Sequence, residues 1–415
     1  MAEDVKVPEG WGKVSLLEKL AFIKGKAPKR SYDFKEKNTI RYLTPEYLRG
    51  RNLETFYCDL NEAEIVNGDV VILWDGSNAG EIFFAKDGAI ASTMAKIEID
   101  KKLHKRFFYY YLKLYEPILK YQIKGSGIPH VEKDIFGLLP NIFPPLSEQC
   151  KISEILETVD NAIGKTEKII EKYKRIKQGL MQELLTKGID ENGQIRSEET
   201  HKFKDSPLGR IPEEWEVVEL GEVGKIASGS TPDTSKPEFW DGNIIWITPD
   251  DLSKLNTRYI HTSKRRITEK GLKNCSAKLI PPNSIVISSR APIGYLAISK
   301  VRFATNQGCK SIILNSSNDP DFFYYCLHIY IKKMITLGSG TTFSEISKSD
   351  LEKMRISIPK SKSEQKRIAS ILSQIDEAIE KEQKYKEKLE KIKRGLMEDL
   401  LAGKVRVNKL LKKQV

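Results

Sequence analysis

The chain has 415 residues and a mass of 47.3 kDa, enough for roughly three domains of ordinary size. Its 40% hydrophobic and 30% charged content excludes wholesale disorder, and its longest apolar runs, such as Val70–Trp74 and Ile285–Ile287, are far too short for a membrane helix. Five scattered cysteines without a C-x-x-C argue against a disulfide framework or zinc ribbon and, with an acidic N-terminus lacking an apolar leader, predict a cytoplasmic chain; the net charge of +12 points to an anionic partner, most often nucleic acid.

In chain order, residues 1–145 read as a first globular domain of mixed α/β type. Short β-branched strands such as Val70-Val71-Ile72-Leu73-Trp74 run into polar turns such as Asp75-Gly76-Ser77-Asn78. Residues 146–188 read as one long helix, with Pro144-Pro145 before it, Ser147 as its N-cap and Lys187-Gly188 closing it. Ile152, Leu156, Val159, Ile163, Thr166, Ile170, Tyr173, Lys177, Leu180 and Leu184 recur at alternating steps of four and three, a heptad seam. Residues 189–210 are a linker, and 211–360 a second α/β domain in which Ile285-Val286-Ile287 runs into Ser288-Ser289-Arg290. Residues 361–403 repeat the helix, with Ser361 and Glu364 at a capping-box spacing and Ala402-Gly403 at the end. Its seam is Ile368, Leu372, Ile375, Ile379, Glu382, Lys386, Leu389, Lys393, Leu396 and Leu400, apolar at both ends and polar in the middle. A basic tail, 404–415, carries five Lys or Arg and no acid.

The chain repeats itself. Ser147–Leu185 and Ser363–Leu401 align without a gap at an offset of 216, sharing Ser-Glu-Gln at the start and Gly-Leu-Met near the end. The globular parts repeat more loosely: Pro8-Glu9-Gly10-Trp11 with Pro212-Glu213-Glu214-Trp215, Phe107-Phe108-Tyr109-Tyr110 with Phe322-Phe323-Tyr324-Tyr325, and Gly125-Ser126-Gly127 with Gly338-Ser339-Gly340. The expected fold class is α+β, with two α/β domains separated by two long helices that pair antiparallel about a pseudo-two-fold axis. A helix of this length rises about 60 Å, the reach of about 17 base pairs.

Loops rich in Ser, Thr, Asn, Gln and Arg at strand ends suit the reading of DNA grooves: Arg matches guanine, Asn and Gln match adenine, and hydroxyls and ammonium groups hold phosphates. The candidates in the first copy are Lys24, Lys26, Arg30, Arg49, Arg51, Ser77, Asn78, Lys124, Ser126 and His130. In the second they are Ser228, Ser230, Thr231, Arg265, Arg266, Ser289, Arg290, Gln307, Ser339, Thr341 and Thr342. Any one of these, taken alone, also reads as a solvated turn residue. No phosphate-binding loop, nucleophile elbow or amino-methyltransferase tetrad is present, and the five histidines lack metal-ligand spacing. The chain therefore reads as non-catalytic, with no metal or cofactor of its own. A coiled-coil scaffold whose α/β domains bind protein or RNA remains the alternative on these features.

The two divergent copies, each running from P-E-x-W to a G-S-G turn and then into a long helix ending G-L-M-x-x-L-L, resemble the DNA-specificity subunits of type I restriction-modification systems. The most specific signal is Pro144-Pro145-Leu146-Ser147-Glu148-Gln149 at a helix start; the second copy adds Ser228-Gly229-Ser230-Thr231-Pro232 and Gly338-Ser339-Gly340-Thr341-Thr342-Phe343. The first copy departs, with Lys24-Gly25-Lys26-Ala27-Pro28 and Ile128-Pro129-His130 in the corresponding places. The resemblance implies target recognition domains that each read half of a bipartite double-stranded DNA site. It also implies helices that hold the half-sites apart and dock two modification (methyltransferase) subunits. S-adenosylmethionine, ATP and Mg would then belong to partner subunits, including restriction/translocase subunits where present.

Overall fold

The computed structural model describes residues 7–50, 56–121, 129–290, 292–338 and 345–411. Contacts divide the chain into two compact units, residues 1–168 with 384–415, and residues 169–383. Each unit thus combines one globular domain with part of both long helices. No helix among the described residues is long and apolar enough to cross a membrane.

In the first unit a four-stranded antiparallel sheet runs in the order Ala21–Lys24, Met94–Glu98, Asp69–Leu73, Ile82–Ala85. All five residues of Asp69–Leu73 are buried, as expected of a central strand covered on both faces. A second sheet contains the parallel pair Thr39–Leu43 and Gly88–Ile90. The amphipathic helix Lys105–Tyr121 buries Phe107, Phe108, Tyr110 and Tyr111 in a core that also takes Ile152 and Leu156 from the first long helix and Leu400 and Leu401 from the second.

The second unit rebuilds the same frame from different side chains. Its main sheet runs Gly224–Ser228, Cys309–Leu314, Ile285–Ser288, Leu296–Ser299, with Tyr259–Ile260 added at the edge. Its second sheet again contains a parallel pair, Trp240–Ile247 with Phe303–Thr305. Helix Pro320–Ile329 buries Phe322, Phe323 and Tyr325 against Leu184 at the end of the first long helix, the adjoining Leu185, and Ile368 and Leu372 of the second. The linker is folded here: Phe203–Lys204 pairs with Ile211–Pro212, and Ile189 is buried.

The long helices span Leu146–Leu184 and Lys362–Leu401. Within the first unit they run antiparallel, because Asp160 meets Lys393 at 2.6 Å while Glu167 meets Lys386 at 2.8 Å. In the second unit Lys177 meets Asp376 at 2.6 Å. Every seam position is buried or half-buried. The seam lysines Lys177, Lys386 and Lys393 are thus each matched by a carboxylate of the facing helix, since a half-buried charge without a partner would oppose pairing.

Helix ends differ from the sequence reading. The first helix begins at Leu146, so Ser147 lies inside its first turn and is not the N-cap. Ser361 does precede the second helix, but Glu364 does not fold back to it. Its carboxylate turns to Arg196, Trp215 and the Ile189 N–H, because the buried Arg196 guanidinium is a stronger partner than a backbone amide already at the helix rim. Gly188 and Gly403 adopt φ of 65° and 70°, and their N–H groups reach Leu184 and Leu400, the C-terminal stop expected of glycine. The basic tail docks through buried Val407 and through Arg406, which donates to Glu148.

Candidate nucleic-acid interface

In the second unit three strand ends bring polar residues together. The chain leaves Gly224–Ser228 through Gly229, where a Cβ would lie 2.0 Å from the Asn306 carbonyl oxygen, so only glycine allows this approach. Ser230 is then pinned by its N–H to Thr305 (2.9 Å) and by its carbonyl, which accepts from Trp246 Nε1 (3.0 Å). The Thr231 hydroxyl donates to the side-chain oxygen of exposed Gln307. Beneath them Lys310, only 5% exposed, directs Nζ to Glu345 Oε1 (3.0 Å), Ser289 Oγ (3.2 Å) and the Gln307 carbonyl (3.4 Å). Arg290 lies on the rim, 3.6 Å from Glu345 Oε2 and partly exposed.

Thus Ser230, Thr231, Ser289, Arg290 and Gln307 share one cluster. Ser289 is fully buried and supports Lys310 from below the surface. Arg265 stacks on Trp240 with its guanidinium carbon 3.5 Å from the ring centroid, and Trp246 links this stack to Ser230. Arg266 is exposed on the alternate face of that strand, and Ser228 is exposed at its strand end. Ser339, Thr341 and Thr342 lie outside the described residues.

The first unit shows a related but not identical cluster. Lys24 Nζ donates to Asp75 Oδ2 at 2.9 Å and lies 5.8 Å from the Trp74 ring centroid. Asp75 pairs through its backbone with His130, and the Gly76 N–H reaches the Pro129 carbonyl. Ser77, Asn78 and His130 are exposed around this turn. Gly25 does here what Gly229 does in the second unit, since a Cβ would lie 2.3 Å from the Ala91 carbonyl oxygen. Lys26 and Arg30 are exposed. Arg49 forms a two-pronged clamp on Glu81 (2.5 and 3.0 Å), which stations its guanidinium within the domain. Arg51, Lys124 and Ser126 lie outside the described residues.

Sequence reasoning missed Asp75, Lys310 and Glu345. Lys310 carried a signal, a lone charge in the strand Cys309–Leu314 whose first four residues are all buried. Asp75 sat inside a turn already noted.

Each domain is fastened to the helices by the residues that repeat best. Gln149 accepts from the His104 N–H (2.8 Å) and donates to the Pro144 carbonyl (2.9 Å). Gln365 does the same with Asp319 and Pro359 (2.9 and 3.1 Å). Tyr110 donates to Asp160 at 2.7 Å, and Tyr325 to Asp376 at 2.6 Å. Burial, then the neighbouring carboxylate, pushes both phenols well above their ordinary range. Burial also pushes Tyr109, Tyr324 and the Cys309 thiol up to about 12, and lowers the His328 imidazole. These groups stay neutral at physiological pH and serve packing rather than proton transfer.

The family model for the type I restriction modification DNA specificity domain matches residues 8–175 and again 212–391. The chain is 36% identical over 425 residues to the type I restriction enzyme MjaVIII specificity subunit of Methanocaldococcus jannaschii, covering 98% of this chain and 95% of that protein. It is 41% identical over 196 residues to the MjaIX specificity subunit of the same organism, covering 46% and 44%. Among solved structures it resembles the type I restriction-modification S subunit from M. genitalium, with a TM-score of 0.61, 14% identity and coverage of 97% and 98%.

Proposed function

Because the chain belongs to the type I restriction-modification DNA specificity family, we propose that its two recognition domains divide the reading of one bipartite DNA site. The chain is a DNA-sequence specificity subunit that assembles with other subunits of such a system. In this reading each domain contacts one half-site, and the long helices set the spacing and dock two modification subunits. Restriction subunits join where the system has them. Catalysis, with S-adenosylmethionine, ATP and Mg, resides in those partners, and this chain carries only the address.

One observation carries the reading. Two copies of one frame each gather a polar cluster at the same strand ends, and the residues that fasten frame to helix repeat while the clusters do not. A protein that used both domains for one scaffold contact would have reason to keep the clusters alike, as the helix fasteners are alike. Varied clusters on a repeated frame are what two different half-sites require.

The test is a single-molecule methylation map of cells with and without the gene. The expected result is loss of one two-part motif with a fixed gap on deletion. In binding assays, scrambling either half-site or lengthening the gap by one base pair lowers affinity, and pull-down recovers a methyltransferase subunit. Indifference to both DNA changes would refute the reading.

A further inference from the structure

The frame repeats, yet at one backbone position the two domains carry opposite charge. Asp75 lies two residues beyond Asp69–Leu73, and Arg290 two residues beyond Ile285–Ser288. Each forms an isolated antiparallel bridge, Asp75 with His130 and Arg290 with Glu345. The registers beneath also correspond. Ile72 faces Ala95, which faces Lys24; Ile287 faces Lys310, which faces Ser228. Position by position, Asp75 stands where Arg290 stands, His130 where Glu345 does, Ala95 where Lys310 does, and Lys24 where Ser228 does.

Each domain nevertheless builds one supported ion pair at this place. In the first, the carboxylate is on the turn and the ammonium comes from Lys24 at 2.9 Å. In the second, the guanidinium is on the turn and the carboxylate comes across the bridge, held from below by Lys310 at 3.0 Å. A structural brace has no cause to reverse its sign between copies whose Gln149/Gln365 and Tyr110–Asp160/Tyr325–Asp376 fasteners stay the same. A partly exposed carboxylate beside DNA also opposes phosphate, so its retention calls for a partner that it accepts from. Cytosine N4 and adenine N6 are such donors, and guanine O6/N7 suits the Arg fork. The gap of 3.6 Å between Arg290 and Glu345 is beyond a normal hydrogen bond, so each keeps capacity for a base.

We propose that the bridged pair is the specificity-determining element of each domain. Arg290 and Glu345 read a G·C pair in the second half-site, by the guanine edge and the cytosine amine. Asp75, beside His130, reads an exocyclic amine in the first. Lys310 and Lys24 are positioning residues that hold the carboxylates. This assignment rests on the two-half-site reading above.

The experiment expresses the full chain with its partner subunits in a strain lacking its own copy. Methylation is mapped for wild type, for the deletion, and for Arg290→Ala, Glu345→Gln, Lys310→Met and Asp75→Asn; binding is measured with each base pair of the site replaced in turn. The expected result is that the first three variants relax discrimination about ten- to a hundredfold at the same G·C pair of the second half-site. Asp75→Asn relaxes one pair of the first half-site alone. An unchanged motif overturns the assignment, and so does equal loss of both half-sites by a variant that still assembles. A motif that survives deletion of the gene overturns the reading beneath it instead. Glu345→Gln, nearly isosteric, keeps the test open if Lys310→Met fails to fold.

Discussion

Arg196→Met isolates the strongest fastener in the second unit. Glu364, 8% exposed, accepts from Arg196 Nη1 (2.5 Å) and Nη2 (3.1 Å), Trp215 Nε1 (3.0 Å) and the Ile189 N–H (3.1 Å). Removing the guanidinium strips two of these four donors and leaves a buried carboxylate without its counter-ion, a loss of about 3–5 kcal/mol. Its counterpart in the first unit is weaker. Glu148 accepts from Arg406 Nε (3.1 Å) and Nη2 (2.6 Å), and the Arg406 side chain is 23% exposed against 7% for Arg196. Glu148 is as buried as Glu364, at 4% exposed, but its partner is not: water enters where the partly exposed Arg406 stood, so Arg406→Met loses about 1–2 kcal/mol. For a unit of this size each kcal/mol moves the melting temperature by about 2–4 °C. Scanning calorimetry should therefore show a fall of about 10 °C for the transition of the second unit in Arg196→Met, and only a few degrees for that of the first in Arg406→Met. The double variant Arg196→Met/Glu364→Leu recovers part of the loss, because removing both charges spares the desolvation while Trp215 Nε1 and the Ile189 N–H stay unpaired. Equal shifts in the two single variants, or a larger one for Arg406→Met, would refute the reasoning.

Gly229→Ala forces a Cβ to within 2.0 Å of the Asn306 carbonyl and must displace the Ser230–Thr231 loop. Methylation mapping should show impaired reading of the second half-site with the first intact. The raised phenols of Tyr109, Tyr324 and Tyr330, each pushed to about 12 by burial, make the fold alkali-sensitive. A group whose pKa is higher folded than unfolded stabilises fully below the unfolded value, so stability should be lost between about pH 10 and 12, followed by phenolate absorbance and circular dichroism. Ionisation of these phenols near pH 10 with the fold intact would contradict this. Exposed Cys150 should react with a thiol reagent in the native protein, whereas buried Cys58, Cys309 and Cys326 should react only on unfolding, as read by labelling and mass spectrometry.

The sequence by itself determined the double architecture and the helix seams. Helical burial is periodic over a few residues, so the steps from Ile152 to Leu184 and from Ile368 to Leu400 declare themselves locally, and the offset of 216 declares the repeat. It also marked the strand-end turns around Asp75–Asn78 and Ser288–Arg290. Only the tertiary structure decided what the best-repeated letters do. Glu364 finds Arg196 across 168 residues and Glu148 finds Arg406 across 258, and no local pattern encodes such partners. Ser147 and Glu364 looked like helix caps because their spacing is a local rule, and a buried guanidinium overrode it for Glu364. The charge reversal between Asp75 and Arg290 was hidden for another reason. Correspondence between diverged domains is kept by backbone register, through Ile72 to Ala95 and Ile287 to Lys310, while the side chains at those positions are free to change sign.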